Sequence, residues 1–333
     1  MGDPALRFRP GTVGGGLGWR FTQRFAIAVA AIWLAAPQAG STPIEQGTGR
    51  RPPVPRARAL TADEVAAVQR MAEQGDAAAQ YWLGEAFLRG EGVVGDAKQG
   101  ALWIRRAAEQ GHLRAQHALG LIYEERQDAP QDLDEAERWF RSAAEQGYSE
   151  SQYKLGCLYR TGTGVPQDDA QAIHWYRKAA DQGHLDAQVD LGYAYARGSG
   201  VQRDDAQAVQ WWRRVAGLHP DAQFNLGVAY SQGKGLGRDD VEAAKWFRRA
   251  AERGHVEAQL NLAEAYARGA GLFQSYFEAY QWFTVADALA SGDLKDRSAR
   301  GMERVAQRIT PAQIALAETL AGDWLKAFGN RKQ

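Results

Sequence analysis

The chain has 333 residues, of which 45% are hydrophobic and 24% charged, the ordinary balance of a folded protein long enough for two domains or a repeat array. Forty lysines and arginines match forty aspartates and glutamates, so no global field draws the chain to nucleic acid or to anionic lipid. A single cysteine, Cys157, excludes an intramolecular disulfide and argues against a thiolate-ligated zinc site; a lone thiol on a helix reads as buried packing.

In chain order, Arg7, Arg9, Arg20 and Arg24 precede an uncharged apolar run, FAIAVAAIWLAA, over residues 25–36, and small residues come next in PQAGST. A basic stretch, a short apolar core and a small-residue exit have the order of a secretory signal peptide over residues 1–41, with cleavage after Ser41. Export to the periplasm or beyond is the consequence of that reading. The alternatives are an inner-membrane anchor through residues 25–36 and a cytoplasmic chain with a fortuitous apolar run. Residues 42–60 hold Arg50, Arg51, Arg56 and Arg58 with four prolines, a composition that cannot bury a core and reads as a disordered linker.

From residue 61 a repeat takes over. Ala79-Gln80-x-x-Leu83-Gly84 returns at Ala115-Gln116, Ser151-Gln152, Ala187-Gln188, Ala222-Gln223 and Ala258-Gln259, the last with Ala263 in place of glycine. An independent marker, Trp103, Trp139, Trp175, Trp211, Trp246 and Trp282, keeps the same beat of about 36 residues. Each unit reads as two helices. In the first, Ala79, Leu83 and Phe87 fall on one face, and tyrosines 123, 159, 195, 230 and 266 later take the place of Phe87. A G-x-G loop comes next, where glycine permits positive φ; the second unit has Glu125-Arg126-Gln127-Asp128 there instead. The second helix carries the Trp, presents it to the next unit, and ends in Gln-Gly-His or Gln-Gly-Tyr.

The ends read as caps. Thr61-Ala62-Asp63-Glu64 is a capping box that opens a helix to about Glu73, the equivalent of the second half of a repeat. Thr310-Pro311-Ala312-Gln313 opens a closing helix through about Ala327. The domain plan is thus a capping helix plus six repeats over 61–290 and a helical cap over 291–333.

The A-Q-x-x-L-G, G-x-G and W-x-x-x-A-A elements, recurring in register, resemble the Sel1-like repeat family, relatives of the tetratricopeptide repeats, over about residues 61–290. The tail from Thr310 resembles the segment C-terminal to the repeats in exported proteobacterial members. The resemblance implies an all-α solenoid in a right-handed superhelix, used as an adaptor in signalling and envelope assembly, without implying one ligand. Cysteine-rich members that act on β-lactams carry a cysteine pair in each repeat; with Cys157 alone, that activity is not carried over.

Catalytic sets are missing from the pattern: no HExxH, no G-x-S-x-G elbow, and no glycine-rich loop joining a strand to a helix. The chain is expected to be no enzyme and to use no metal or cofactor. His112, His184 and His255 each come after the glycine that ends a second helix, which points to a turn role. The repeating glutamines are either a ligand ladder or one structural hydrogen bond per repeat to a neighbouring turn.

By analogy with tetratricopeptide geometry, the residue after each glutamine lines the inner surface: Tyr81, His117, Tyr153, Val189, Phe224 and Leu260. Glu85, Leu121, Cys157, Tyr193, Val228 and Glu264 join them, and Arg89, Arg160, Arg197 and Arg268 sit near the rim. An aromatic stripe edged by arginines is a candidate groove for a protein or peptide partner, with Tyr81, Glu85, His117, Tyr153, Tyr193, Phe224 and the four arginines as contacts. The alternative is that these residues pack between repeats. Aromatic rings also stack on sugars, so a peptidoglycan or polysaccharide binder is the second reading, and a hydrolase the third.

Overall fold

The computed structural model describes residues 62–125 and 132–330. The expected leader, the linker and Thr61 of the first capping box lie outside the described residues, as does most of the loop in the second repeat. Among the described residues there are fifteen α-helices and no strand. Helix α1 (Ala62–Glu73) precedes six pairs. These are α2 (Ala77–Arg89) with α3 (Ala97–Glu109), α4 (Leu113–Glu125) with α5 (Leu133–Glu145), and α6 (Ser149–Thr161) with α7 (Asp169–Asp181). Then come α8 (Leu185–Arg197) with α9 (Asp205–Val215), α10 (Pro220–Gln232) with α11 (Asp240–Glu252), and α12 (Val256–Arg268) with α13 (Tyr276–Leu289). Helices α14 (Asp293–Ala306) and α15 (Pro311–Asn330) complete the order. Helices α1 to α14 pack chiefly on their neighbours in sequence, which is the architecture of an α-solenoid.

Local chemistry sets the boundaries. Second helices begin at Asp96, Asp132, Asp168, Asp204 and Asp239, whose carboxylates accept backbone N–H groups of the first turn. Five of the first helices end at glycines in the left-handed region, as at Gly233, φ 68°. The next glycine of the loop is needed for space as well: a Cβ on Gly235 (φ 71°) would lie 2.1 Å from the Asp205 carbonyl oxygen.

Core packing pairs the two helices of each unit. Leu83, Leu119, Leu155, Leu191, Leu226 and Leu262 are all buried. Opposite them lies the residue after each repeating tryptophan: Ile104, Phe140, Tyr176, Trp212, Phe247 and Phe283, all buried. The mid-helix glycine makes room for it, since a Cβ at Gly192 would stand 2.2 Å from the Trp212 indole nitrogen. Fully burying such a side chain contributes on the order of 1.5–3 kcal/mol. The repeating tryptophans pack towards the preceding repeat, not the following one as expected. Trp175 joins Phe140 and Leu155, and Trp211 joins Tyr176 and Leu191. Paired small residues, such as Ala179 and Ala180, take the contact with the following first helix.

The glutamines hold the stack. Gln80, Gln116, Gln152, Gln188, Gln223 and Gln259 are buried, and each Nε2 donates to a carbonyl at the end of the preceding second helix (or α1). In the first three repeats Gln110, Gln146 and Gln182 donate in turn to the Oε1 of that glutamine. The repeating tyrosines are tied as well: Arg177 donates to the Tyr195 hydroxyl at 3.0 Å and Arg213 to that of Tyr230 at 3.1 Å.

At the C-terminal end α14 packs on α13 as a further first helix would, while α15 folds back across α13. Gln313 N–H donates to Thr310 Oγ1 at 3.3 Å and Thr310 N–H to Gln313 Oε1 at 2.9 Å, the reciprocal bonds of a capping box. Trp324 meets Trp282 edge-on at 5.8 Å and stacks on Phe328 at 4.9 Å.

Candidate functional site

The first helices carry the candidate site, and side-chain bridges between them show that they lie side by side. Helix α2 is capped by the Asp76 carboxylate and α6 begins at Tyr148 without a side-chain cap bond, while a histidine caps each of the other four. His112, His184 and His255 accept the N–H of Ala115, Ala187 and Ala258 through Nδ1, at 3.2, 3.3 and 3.2 Å. Burial lowers the pKa of all three imidazoles, which keeps Nδ1 free of a proton and able to accept. The recurring histidines are therefore caps.

Three residues of the expected stripe cover these caps. Tyr81 stacks on His112 at 5.0 Å, Tyr153 on His184 at 4.5 Å and Phe224 on His255 at 4.5 Å. His117 meets Tyr148 edge-on at 5.4 Å and lies 2.9 Å from the Ser151 hydroxyl; burial, with Lys154 second, pushes its pKa down to about 3. All four are half-buried. Tyr193 sets its edge on Trp212 at 5.9 Å.

The four arginines stand apart from one another. Arg89 pairs with Glu85 one turn earlier, and burial raises the Glu85 pKa against that pull. Arg160 donates Nε to the Tyr176 hydroxyl at 3.0 Å. Arg197 lies over the Tyr193 ring at 5.9 Å, and Arg268 pairs with Glu264 at 3.3 Å, both exposed.

A row of polar bridges between first helices is what the sequence reading missed. Lys154 of α6 pairs with Glu124 of α4 at 2.8 Å. The Tyr153 hydroxyl donates to Asp190 of α8 at 3.2 Å. Asp186 of α8 meets His219, the cap of α10, at 3.0 Å; Asp221 of α10 meets His255 at 3.5 Å. Asn261 of α12 accepts from Arg297 of α14 at 2.8 Å, and Glu264 pairs with Arg304 at 2.8 Å. Several of these occupy the second position after each glutamine: Trp82, Ala118, Lys154, Asp190, Asn225 and Asn261. Their change from apolar to polar along the chain was the available signal.

Electrostatics concentrates at the middle of the row. Burial pushes the Asp190 carboxyl up to about 6, although Arg160 and the Tyr153 hydroxyl both favour its ionised form. Beside it burial also raises the Cys157 thiol, which the Tyr176 hydroxyl approaches at 3.5 Å, so the thiol stays protonated. Among the described residues no group of three or more His, Cys, Asp or Glu side chains is placed to hold a metal ion. Among them, too, no helix is long and apolar enough to cross a membrane.

A model of the Sel1 repeat matches six segments, 77–112, 113–148, 149–184, 185–216, 220–255 and 256–286. The chain belongs to the Sel1 repeat family. A protective antigen of uropathogenic Escherichia coli with an SLR fold is similar at 35% identity and a TM-score of 0.74, over 81% of this chain and 57% of that one. A Sel1 repeat protein from Oxalobacter formigenes is similar at 33% identity and a TM-score of 0.63, over 73% of this chain and 70% of that one. The chain thus spans little more than half the length of the Escherichia coli protein. Among curated proteins none matches. Sel1 repeat proteins generally mediate protein–protein interaction, and the six repeats here supply the same frame.

Proposed function

We propose that this Sel1 repeat protein is a non-catalytic adaptor or scaffold of the bacterial cell envelope that holds a protein or peptide partner in the concave face formed by its first helices. One observation carries the reading. Leu and Gln recur in the frame of every repeat, with Gly and Ala in five of the six, whereas the side chains on the first-helix face differ from one repeat to the next. A surface free to vary while its support is held constant is what a specific partner requires. The protonated Cys157 thiol and the pairing of Asp190 with Tyr153 leave no activated nucleophile there, which supports a binding role over a hydrolytic one. The envelope location rests on the basic, apolar and small-residue order of residues 7–41.

The glycan reading draws less support. Tyr81, Tyr153 and Phe224 each give one ring face to an imidazole, which leaves less aromatic surface for a sugar.

The test is affinity capture from envelope extract with the full chain, beside Arg197→Glu/Arg268→Glu and Tyr153→Phe variants checked for helicity. A specific protein held by the parent and lost by the variants is the expected result. Capture that ignores all three substitutions places the binding surface elsewhere. Retention on purified peptidoglycan without any protein would favour the glycan binder.

A further inference from the structure

Resting on that reading, we propose that a cleft between α8 and α10 is the anchoring subsite of the face, and that its occupant is an extended, acidic peptide segment whose backbone amide pairs with the carboxamide of Asn225. The cleft encloses about 280 Å³, floored by Trp212 and walled by Tyr193 and Asn225. That is near the lower end of ligand clefts, which start at about 300 Å³, and suits one or two residues of an extended chain.

Asn225 is the reason to expect a ligand. Its side chain is 1% exposed, and neither Oδ1 nor Nδ2 has a hydrogen-bond partner. The Tyr193 hydroxyl comes close enough to offset part of its own desolvation, but the two do not meet in hydrogen-bond geometry. Leaving such a group unpaired costs about 1–3 kcal/mol. A role in the repeat frame does not account for it. The equivalent residue one repeat later, Asn261, is paired with Arg297, and one repeat earlier Asp190 is paired with Tyr153. By contrast, the unpartnered indole nitrogens of Trp175 and Trp246 occupy one register and belong to the frame. A carboxamide offers one donor and one acceptor side by side, which matches the C=O and N–H of a peptide chain.

Charge gives the sign of the partner. Arg197, Arg203 and Lys234 border the cleft, against the single carboxylate of Asp205, which Arg203 engages at 2.9 Å. Asp190, Asp221 and Glu257 act on Tyr193, so the cationic excess belongs to the edge formed by Arg197, Arg203 and Lys234, and it is there that an aspartate or glutamate of the entering segment is favoured.

The experiment selects a random twelve-residue peptide library, displayed on phage, against the full chain, and then measures enriched peptides by fluorescence anisotropy. The expected result is enrichment of peptides with Asp or Glu, at least tenfold weaker binding to Asn225→Leu, and no fall in the Tm of that variant. Arg203→Glu/Lys234→Glu, both on the surface, should turn the preference away from acidic peptides even if Asn225→Leu folds poorly. Peptides that bind the parent but ignore these substitutions would overturn the cleft and leave the adaptor reading standing. No enrichment at all counts against both.

Discussion

The Tyr153 hydroxyl donates to the Asp190 carboxylate at 3.2 Å, tying the first helix of the third repeat to that of the fourth. The bond spans 37 positions in sequence, one repeat plus one residue, so it forms only when two units stack. Asp190 is charged at neutral pH against a desolvation cost, with its carboxyl pushed up to about 6 from the ordinary 3.8.

That shift predicts a pH dependence. The folded state binds the Asp190 proton more tightly than the unfolded state, so stability from this group is fully present below pH 4. It is lost as pH rises through about 6. At about 1.4 kcal/mol per unit the loss is at most about 3 kcal/mol. Asp190→Asn keeps an acceptor for Tyr153 and removes the charge. It should therefore be more stable than the parent at pH 7.5, with the advantage gone at pH 4, in urea unfolding at both values. Tyr153→Phe should move the Asp190 titration further up, as read by carboxyl ¹³C shifts.

Helix approach gives a second prediction. Gly192 touches Trp212 so closely that a Cβ has no room, and Gly192→Ala should destabilise by about 1–3 kcal/mol through overpacking. Gly217, with nothing within 4 Å of an added Cβ, is the control: Gly217→Ala should be neutral or stabilising by at most about 1 kcal/mol. Equal effects in thermal unfolding would mean that the first helix does not seat on the second through this glycine.

The C-terminal helix supplies a third. Helix α15 covers α13 with Ala317 and Ala321 buried and Trp324 lodged between Trp282 and Phe328. Trp324 is half-buried, so Trp324→Ala should cost about 1–3 kcal/mol, less than an aromatic lost from a closed core. Proteolysis should then cut first after Ala306, where the chain leaves α14 for α15. Unchanged protease resistance would show that α15 is not what closes the array.

Much of this fold was legible because a repeat states each structural requirement several times. The glutamine bond, the glycine cap and the histidine at the helix start all recur at one spacing, and chance does not produce that. The inner face was legible only in part, for the opposite reason. Asp190 and Asn225 stand in one register yet differ in chemistry: Asp190 takes Tyr153 of the repeat before as its partner, whereas Asn225 only lies near Tyr193 of the repeat before and pairs with nothing. Side-chain reach across a stack is a property of the packed array, invisible to a period. The direction of the tryptophans was misjudged because helical spacing tells which face is apolar but not which neighbour meets it.

The histidine caps yield the last prediction, with a sign opposite to that of Asp190. His112, His184 and His255 accept a backbone N–H through Nδ1, so a proton there would set donor against donor. Their folded pKa values lie below the ordinary 6.5, mainly through burial, so their stabilisation is present above that value and is lost as pH falls below it. His219 works the other way, since Asp186 at 3.0 Å stabilises its protonated form and raises its pKa despite burial. Asparagine caps a helix without titrating, and each cap is worth about 1 kcal/mol. His184→Asn should therefore lose less stability than the parent between pH 7.5 and pH 5, measured as the change in Tm. It should also leave Tyr153 without its stacking partner, at a constant cost across that range. An identical pH slope in the two proteins would assign the acid sensitivity to some other group and remove the caps from the account.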